Sequence, residues 1–114
     1  MDIFETVDGI LEQIGIPFYH HMPEYARELP GSFLVYSAYN TPSLYGDGDE
    51  ITTRYHFTFS IFGKDRSNVK NAYETLKPLL KNSGFIRTGT TYMSDDDFPK
   101  YYRTSADFNI DIDT

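Results

Sequence analysis

Cysteine is absent from this chain of 114 residues. That excludes a disulfide framework and a thiolate metal site, and it fits a reducing compartment. Basic residues are scarce as well, ten against seventeen acidic ones, for a formal charge of −7. Such a balance repels a phosphate backbone at long range, so nucleic-acid binding is not expected and a basic partner surface is. There is no apolar run of about 18 residues and no basic-then-apolar leader, so neither a membrane span nor a secretory signal is expected. Repeats at solenoid periods and low-complexity tracts are missing too. The length corresponds to one domain, 1–114, and 39% hydrophobic with 17% aromatic content suffices for a single modest core.

What the chain does contain is clearest between Ile51 and Lys64. Ile51, Thr53, Tyr55, Phe57, Phe59 and Ile61 alternate with Thr52, Arg54, His56, Thr58 and Ser60, the period of a strand with one apolar face. Almost every residue is β-branched or aromatic, and Gly63 and Asp65 punctuate the end. The segment from Tyr101 to Asp113 repeats this pattern, with Tyr102, Thr104, Ala106, Phe108, Ile110 and Ile112 on one side. Strands are also expected at Phe33 to Tyr39 and Phe85 to Tyr92, and a short one or an extended connector at Ile16 to His20. Between Tyr39 and Ile51 the sequence NTPSLYGDGD is rich in turn formers and predicts a loop of about ten residues joining two antiparallel strands.

Two helices complete the pattern. Asp2 with Glu5 has the form of a capping box, and Ile3, Val7, Ile10, Leu11 and Ile14 recur at helical spacing, so a helix is expected from Asp2 to Ile14. A second, capped by Asp65 or Ser67 and closed by Gly84, carries the stripe Val69, Ala72, Tyr73, Leu76 and Leu80. Pro78 removes a backbone donor and is expected to bend or shorten it near Lys77. Pro23 and Pro30 bracket a polar surface segment, and Ser94 to Pro99 is an acidic turn. The fold class is α+β: an antiparallel or mixed sheet of four to five strands in the order α-(β)-β-β-α-β-β, both helices on one face. The other face is expected to be polar, lined by Arg54, His56, Thr58, Asp107, Asn109 and Asp111.

No catalytic constellation is present. His20 and His21 are adjacent and His56 stands alone, which matches neither a zinc helix nor a nucleophile-base pair. GDGD lacks the later glycine and the lysine of a phosphate loop. Asp107, Asn109, Asp111 and Asp113 alternate along a strand and spread over about 20 Å, too far to share an ion. The clusters Asp47, Asp49, Glu50 and Asp95, Asp96, Asp97 read as acidic turns, and no cofactor or metal is expected. Ten tyrosines and nine phenylalanines exceed what one small core buries. Tyr36, Tyr39, Tyr45, Tyr92, Tyr101 and Tyr102 are the candidates for partial exposure, a feature of self-associating surfaces.

A short N-terminal helix, a strand FLVYSAYN, a loop with YGDGDE, a strand ending in SIFGK, a helix through VKNAYETLKPLLKNSGF and a last amphipathic strand follow one another. From Phe33 onward this succession resembles the small tail-terminator and tail-completion proteins of long-tailed bacteriophages and prophages. The resemblance implies a non-enzymatic virion part, made in the host cytoplasm. It would assemble as a homo-oligomer, commonly a hexameric ring, on the tail tube, halt its polymerisation and face the head connector. By position, Leu44, Tyr45, Asp47, Asp49 and Glu50, with Asp95, Asp96 and Asp97, are the expected contacts to other subunits or the tube. The alternatives are a head-completion or connector protein, and a small cytosolic ligand-binding or regulatory domain.

Overall fold

In the computed structural model, which describes residues 2–20, 31–46, 48–94 and 101–113, a five-stranded mixed sheet carries two helices on one face. The elements run α1 (Ile3–Glu12), β1 (Phe18–His20), β2 (Ser32–Gly46), β3 (Asp49–Gly63), α2 (Arg66–Asn82), β4 (Ile86–Ser94) and β5 (Tyr102–Asp113). The fold is α+β. In space the strands lie in the order β1-β2-β3-β5-β4, with β1 parallel to β2 and the other neighbours antiparallel. The final strand therefore sits inside the sheet, between β3 and β4.

Each helix forms for local reasons. The Asp2 carboxylate caps α1 by accepting from the Phe4 amide at 2.9 Å, and Asp65 caps α2 through Ser67 in the same way at 2.8 Å. At the far end of α2, Gly84 takes φ +98° while the Phe85 amide donates to the Leu80 carbonyl and Gly84 to Lys81. This is a Schellman closure, and Leu80 and Phe85 bury their side chains together in the core. α2 continues to Asn82 past Pro78 instead of ending near Lys77. Pro78 and Glu74 both lie on the exposed side, so the carbonyl that the ring leaves without a partner meets water.

The core lies between the sheet and the helices. Val7, Leu11, Leu34, Phe57, Phe59, Leu76, Leu80 and Phe108 are among its buried members. Helix α1 lies over the first three strands: Phe4 packs on His20, Tyr55 and Phe57, and Asp8 meets Tyr36. Helix α2 lies over β3, β5 and β4, and the Tyr73 hydroxyl reaches Thr90 Oγ1 at 3.0 Å. Burying this many large apolar side chains, at about 1.5–3 kcal/mol each, is what holds the layers together.

Two expectations are corrected by the sheet. The stretch around NTPSLYGDGD is not a wide loop: β2 and β3 pair through it until Gly46 faces Asp49. Thr41, Thr52 and Thr53 favour strand, and the register shifts between Pro42, Leu44 and Tyr45 absorb the proline within the ladder. A strand of 15 residues at about 3.3 Å each spans about 50 Å, which accounts for the 52 Å long axis of a body 28 and 22 Å across.

The second correction concerns the face away from the helices, which is not polar throughout. Phe33, Phe62 and Tyr101 form a separate buried cluster there, with Tyr19 and Val35 against it. Phe33 stacks on Phe62 at 4.8 Å between ring centres. These residues have the opposite parity to Leu34 and Ile61, which is why the periodicity of the main face does not reveal them. The expected segments at Pro23 to Pro30 and from Asp95 onward lie outside the described residues.

Candidate functional site

On the open face β3 and β5 present a ladder of cross-strand polar pairs. Arg54 Nε donates to Asp111 Oδ1 at 2.8 Å and a second guanidinium nitrogen to Oδ2 at 3.2 Å. Thr58 Oγ1 donates to Asp107 at 2.8 Å, Thr52 to Asp113 at 3.3 Å, and the hydroxyls of Ser60 and Ser105 lie 3.0 Å apart. The hydrogen bond from Arg54 is the main cause that holds the Asp111 carboxyl below its ordinary range, with desolvation opposing it and the charge of Arg54 adding to it. These aspartates are thus each turned to their own partner on β3. Among the described residues, no three of His, Asp or Glu gather in a way that would hold a metal ion.

The three histidines were expected to serve no spacing-based chemistry. His56 stacks on Tyr39 with ring centres 4.5 Å apart and shares a 2.9 Å hydrogen bond with Thr41 Oγ1. His20 stacks on Tyr36 at 4.8 Å; His21 lies outside the described residues.

Of the tyrosines expected at the surface, Tyr36 and Tyr101 are buried, whereas Tyr39 is 66% exposed. Tyr36 is held in by the core and by Asp8, and Tyr101 by Phe33 and the Lys64 ammonium 5.7 Å from its ring centre. Tyr102 is half-buried under Arg66.

The structure places the expected contact residues as follows. Leu44 and Tyr45 are not on a loop tip; their backbone belongs to β2, paired with Thr52 and Glu50, and Asp49 and Glu50 belong to the start of β3. Together they form the outer part of a two-stranded arm. Asp47, Asp95, Asp96 and Asp97 lie outside the described residues.

What the sequence reading did not reveal is the pair of open flanks. β1 pairs with β2 only from Leu34 to Tyr36, so among the described residues nothing pairs with the outer edge of β2 from Ser37 onward. On the opposite flank β4 is the last strand, and its outer edge is likewise unpaired among the described residues. Among the described residues, Tyr39 on β2 and Ile86 on β4, 66% and 69% exposed, are the large hydrophobic side chains that stand out from this surface. Unpaired strand edges with apolar side chains are templates for another chain.

The two flanks also differ in charge. α1, over β1 and β2, carries Glu5, Asp8 and Glu12 and no basic residue. α2, over β5 and β4, carries Arg66, Lys70, Lys77 and Lys81 against Glu74. Between α2 and β4 runs an open groove of about 920 Å³, whose floor includes Phe85 and Phe108 and whose rim includes Lys77, Lys81 and Arg87. An acidic chain therefore has one basic side. Lys77 is partly engaged by Glu74 at 3.4 Å, an exposed pair that contributes little.

Among the described residues no helix is long and apolar enough to cross a membrane. No protein-family model matches the chain, and no curated protein sequence matches it.

Proposed function

We propose that this chain is a non-enzymatic structural component of a long-tailed phage or prophage virion. It acts as a tail terminator that caps the tail tube and joins it to the head. The observation that carries the reading is the pair of strand edges, unpaired among the described residues, on opposite flanks of an elongated subunit. Different surfaces on opposite sides make a heterologous contact, which closes into a ring when the rotation between neighbours allows. The resemblance from Phe33 onward supplies the virion setting, and the long β2–β3 arm offers a projection for the tube or the connector.

Mixing the purified chain with the cognate tail-tube protein tests this directly. Negative-stain images are expected to show rings that cap tube ends and stop their growth. Tubes of unchanged length, with no bound chain, would overturn the terminator role. Binding to isolated capsids but not to isolated tails would assign it to head completion instead.

A second reading draws on the groove between α2 and β4. A small ligand-binding or regulatory domain would fill it with an acidic, partly apolar molecule and remain monomeric or dimeric. A ligand-dependent rise in Tm without any change in mass favours that reading.

A further inference from the structure

Ile86 ends the transverse row that runs from Tyr39 through His56 and Asn109, and it stands exposed where α2 gives way to β4. The groove between α2 and β4 opens beside it. On the strand side, Arg87 faces Phe108 in register, so it lies on the helix side of the sheet, where it is exposed. On the helix side, Glu74, Lys77, Pro78 and Lys81 recur at spacings of three and four and share one face of α2. Three cations therefore rim an apolar floor of Phe85 and Phe108, on a chain whose formal charge is −7. Lys81, in the last turn, also suits the dipole of α2. Arg87 makes no ion pair among the described residues, and Lys77 has the exposed 3.4 Å pair with Glu74, which another carboxylate can replace with little loss.

The two stretches of more than one residue outside the described ones fall short of this groove. Residues 21–30 join His20 on β1 to Gly31 before β2, at the far flank of the sheet. At strand spacings of about 4.8 Å and rises of about 3.3 Å, a path from there to Ile86 and back covers about 50 Å, whereas the chain from His20 to Gly31 spans at most about 40 Å. Residues 95–100 close the hairpin at the other end of β4, where Ser94 faces Tyr102, and the same limit keeps them from Ile86.

We propose that this groove holds an extended acidic segment of another protein, with an aromatic or aliphatic side chain on Phe85 and Phe108 and carboxylates at Lys77, Lys81 and Arg87. Charge and shape argue for that occupant. A short acidic segment meets the three cations alone, because at physiological ionic strength charges beyond about 8 Å are largely screened. A phosphate backbone carries its charge on past the rim, along surfaces of its own sign. A small molecule favours a site that buries most of its surface, and this groove is open. A strand of a second copy needs a regular edge, but Thr88 is the extra residue between Arg87 and Gly89, and this bulge interrupts the ladder beside the groove. Recognition at this end of β4 is therefore through side chains, and it leaves the strand from Gly89 onward for pairing.

A library of random dodecapeptides displayed on yeast, sorted against the purified chain at about 0.15 M salt, tests this. The enriched peptides are synthesised with a fluorescein label, and their binding is measured by fluorescence polarisation. They are expected to carry acidic residues around an aromatic or aliphatic one. Lys77→Glu with Arg87→Glu is expected to weaken their binding at least tenfold. Arg66→Glu with Lys70→Glu makes the same change of charge at the opposite end of α2 and is expected to leave binding within twofold. Both double variants are checked for the wild-type circular dichroism spectrum. No enrichment, enriched peptides without acidic residues, or equal binding by the two double variants overturns the proposal. A fluorescein-labelled oligodeoxythymidine that binds more tightly than every peptide assigns the groove to nucleic acid and overturns it as well. So does self-association that Lys77→Glu with Arg87→Glu abolishes while no peptide binds, which assigns the groove to a second copy. The inference does not rest on the virion reading: a chain that caps tubes and binds no acidic peptide overturns the inference alone, and one that binds acidic peptides and caps no tube overturns the terminator role alone.

Discussion

The Tyr36 hydroxyl donates to the Asp8 carboxylate at 2.7 Å, tying strand β2 to helix α1 across the edge of the core. Burial, first, and then the hydrogen bond and charge of Asp8 push the Tyr36 phenol well above its ordinary value. A phenol whose folded pKa is raised contributes stability that is fully present below its unfolded value of about 10 and is lost as the pH rises beyond it. Tyr36→Phe is expected to cost roughly 1 kcal/mol at pH 7, by urea denaturation, from the lost charged hydrogen bond. It is also expected to flatten the decline of stability above about pH 10 relative to the wild type. Equal slopes in the two proteins would show that Tyr36 does not contribute to that decline.

The second aromatic cluster carries its own expectation. Phe33 lies on the face opposite the helices and is fully buried against Phe62. Phe33→Ala is expected to destabilise by about 3 kcal/mol or more, as a core truncation does, rather than the ~0.5 kcal/mol or less of a surface change. Calorimetry or urea unfolding distinguishes the two.

Two glycines are expected to resist alanine for different reasons. At Gly63 an added methyl would stand 2.7 Å from Val69 Cγ2, inside the contact between the end of β3 and the first turn of α2. Gly63→Ala is therefore expected to cost about 1–3 kcal/mol through overpacking. At Gly84 there is room, but φ is +98°, and Gly84→Ala is expected to cost roughly 1 kcal/mol through backbone strain alone. In a Val69→Ala background, itself a core truncation, the added cost of Gly63→Ala should shrink while that of Gly84→Ala stays the same.

The arm is expected to matter for assembly and not for folding. Leu44→Ser with Tyr45→Ser should leave the unfolding midpoint close to the wild-type value while weakening association. Unchanged association would remove the outer arm from the contact surface. Raising the salt concentration from about 0.05 to 0.5 M is expected to weaken association as well, because exposed charges are screened over a few ångströms at high ionic strength.

Much of this architecture is legible in the residues themselves. The alternation from Thr53 to Ile61, the stripe Val69, Tyr73, Leu76 and Leu80, the Asp65 cap and the Gly84 stop each express a local rule that the fold obeys. The misreadings share a cause: a local signal overridden by position in the sheet. Pro42 and the glycines near it look like loop, yet a proline on an edge that is unpaired among the described residues costs the ladder little, and the strands continue to Gly46 and Asp49. Phe33, Phe62 and Tyr101 fall out of phase with the main apolar face, and only their convergence from three separate segments makes a cluster of them. The flanks were hidden for a similar reason. Ile86 looks like an ordinary strand residue, and its place at the end of a row starting at Tyr39 depends on β5 lying between β3 and β4.

The proposed assembly requires that the strand edges, unpaired among the described residues, receive copies of the same chain. Light scattering coupled to size-exclusion chromatography on the wild-type chain, with and without tail-tube protein, measures this most directly. The account predicts closed rings of defined mass, formed by the chain alone or on addition of the tube. A mass that stays at the 13.2 kDa of one chain at every protein and salt concentration, with tube protein present, would contradict it.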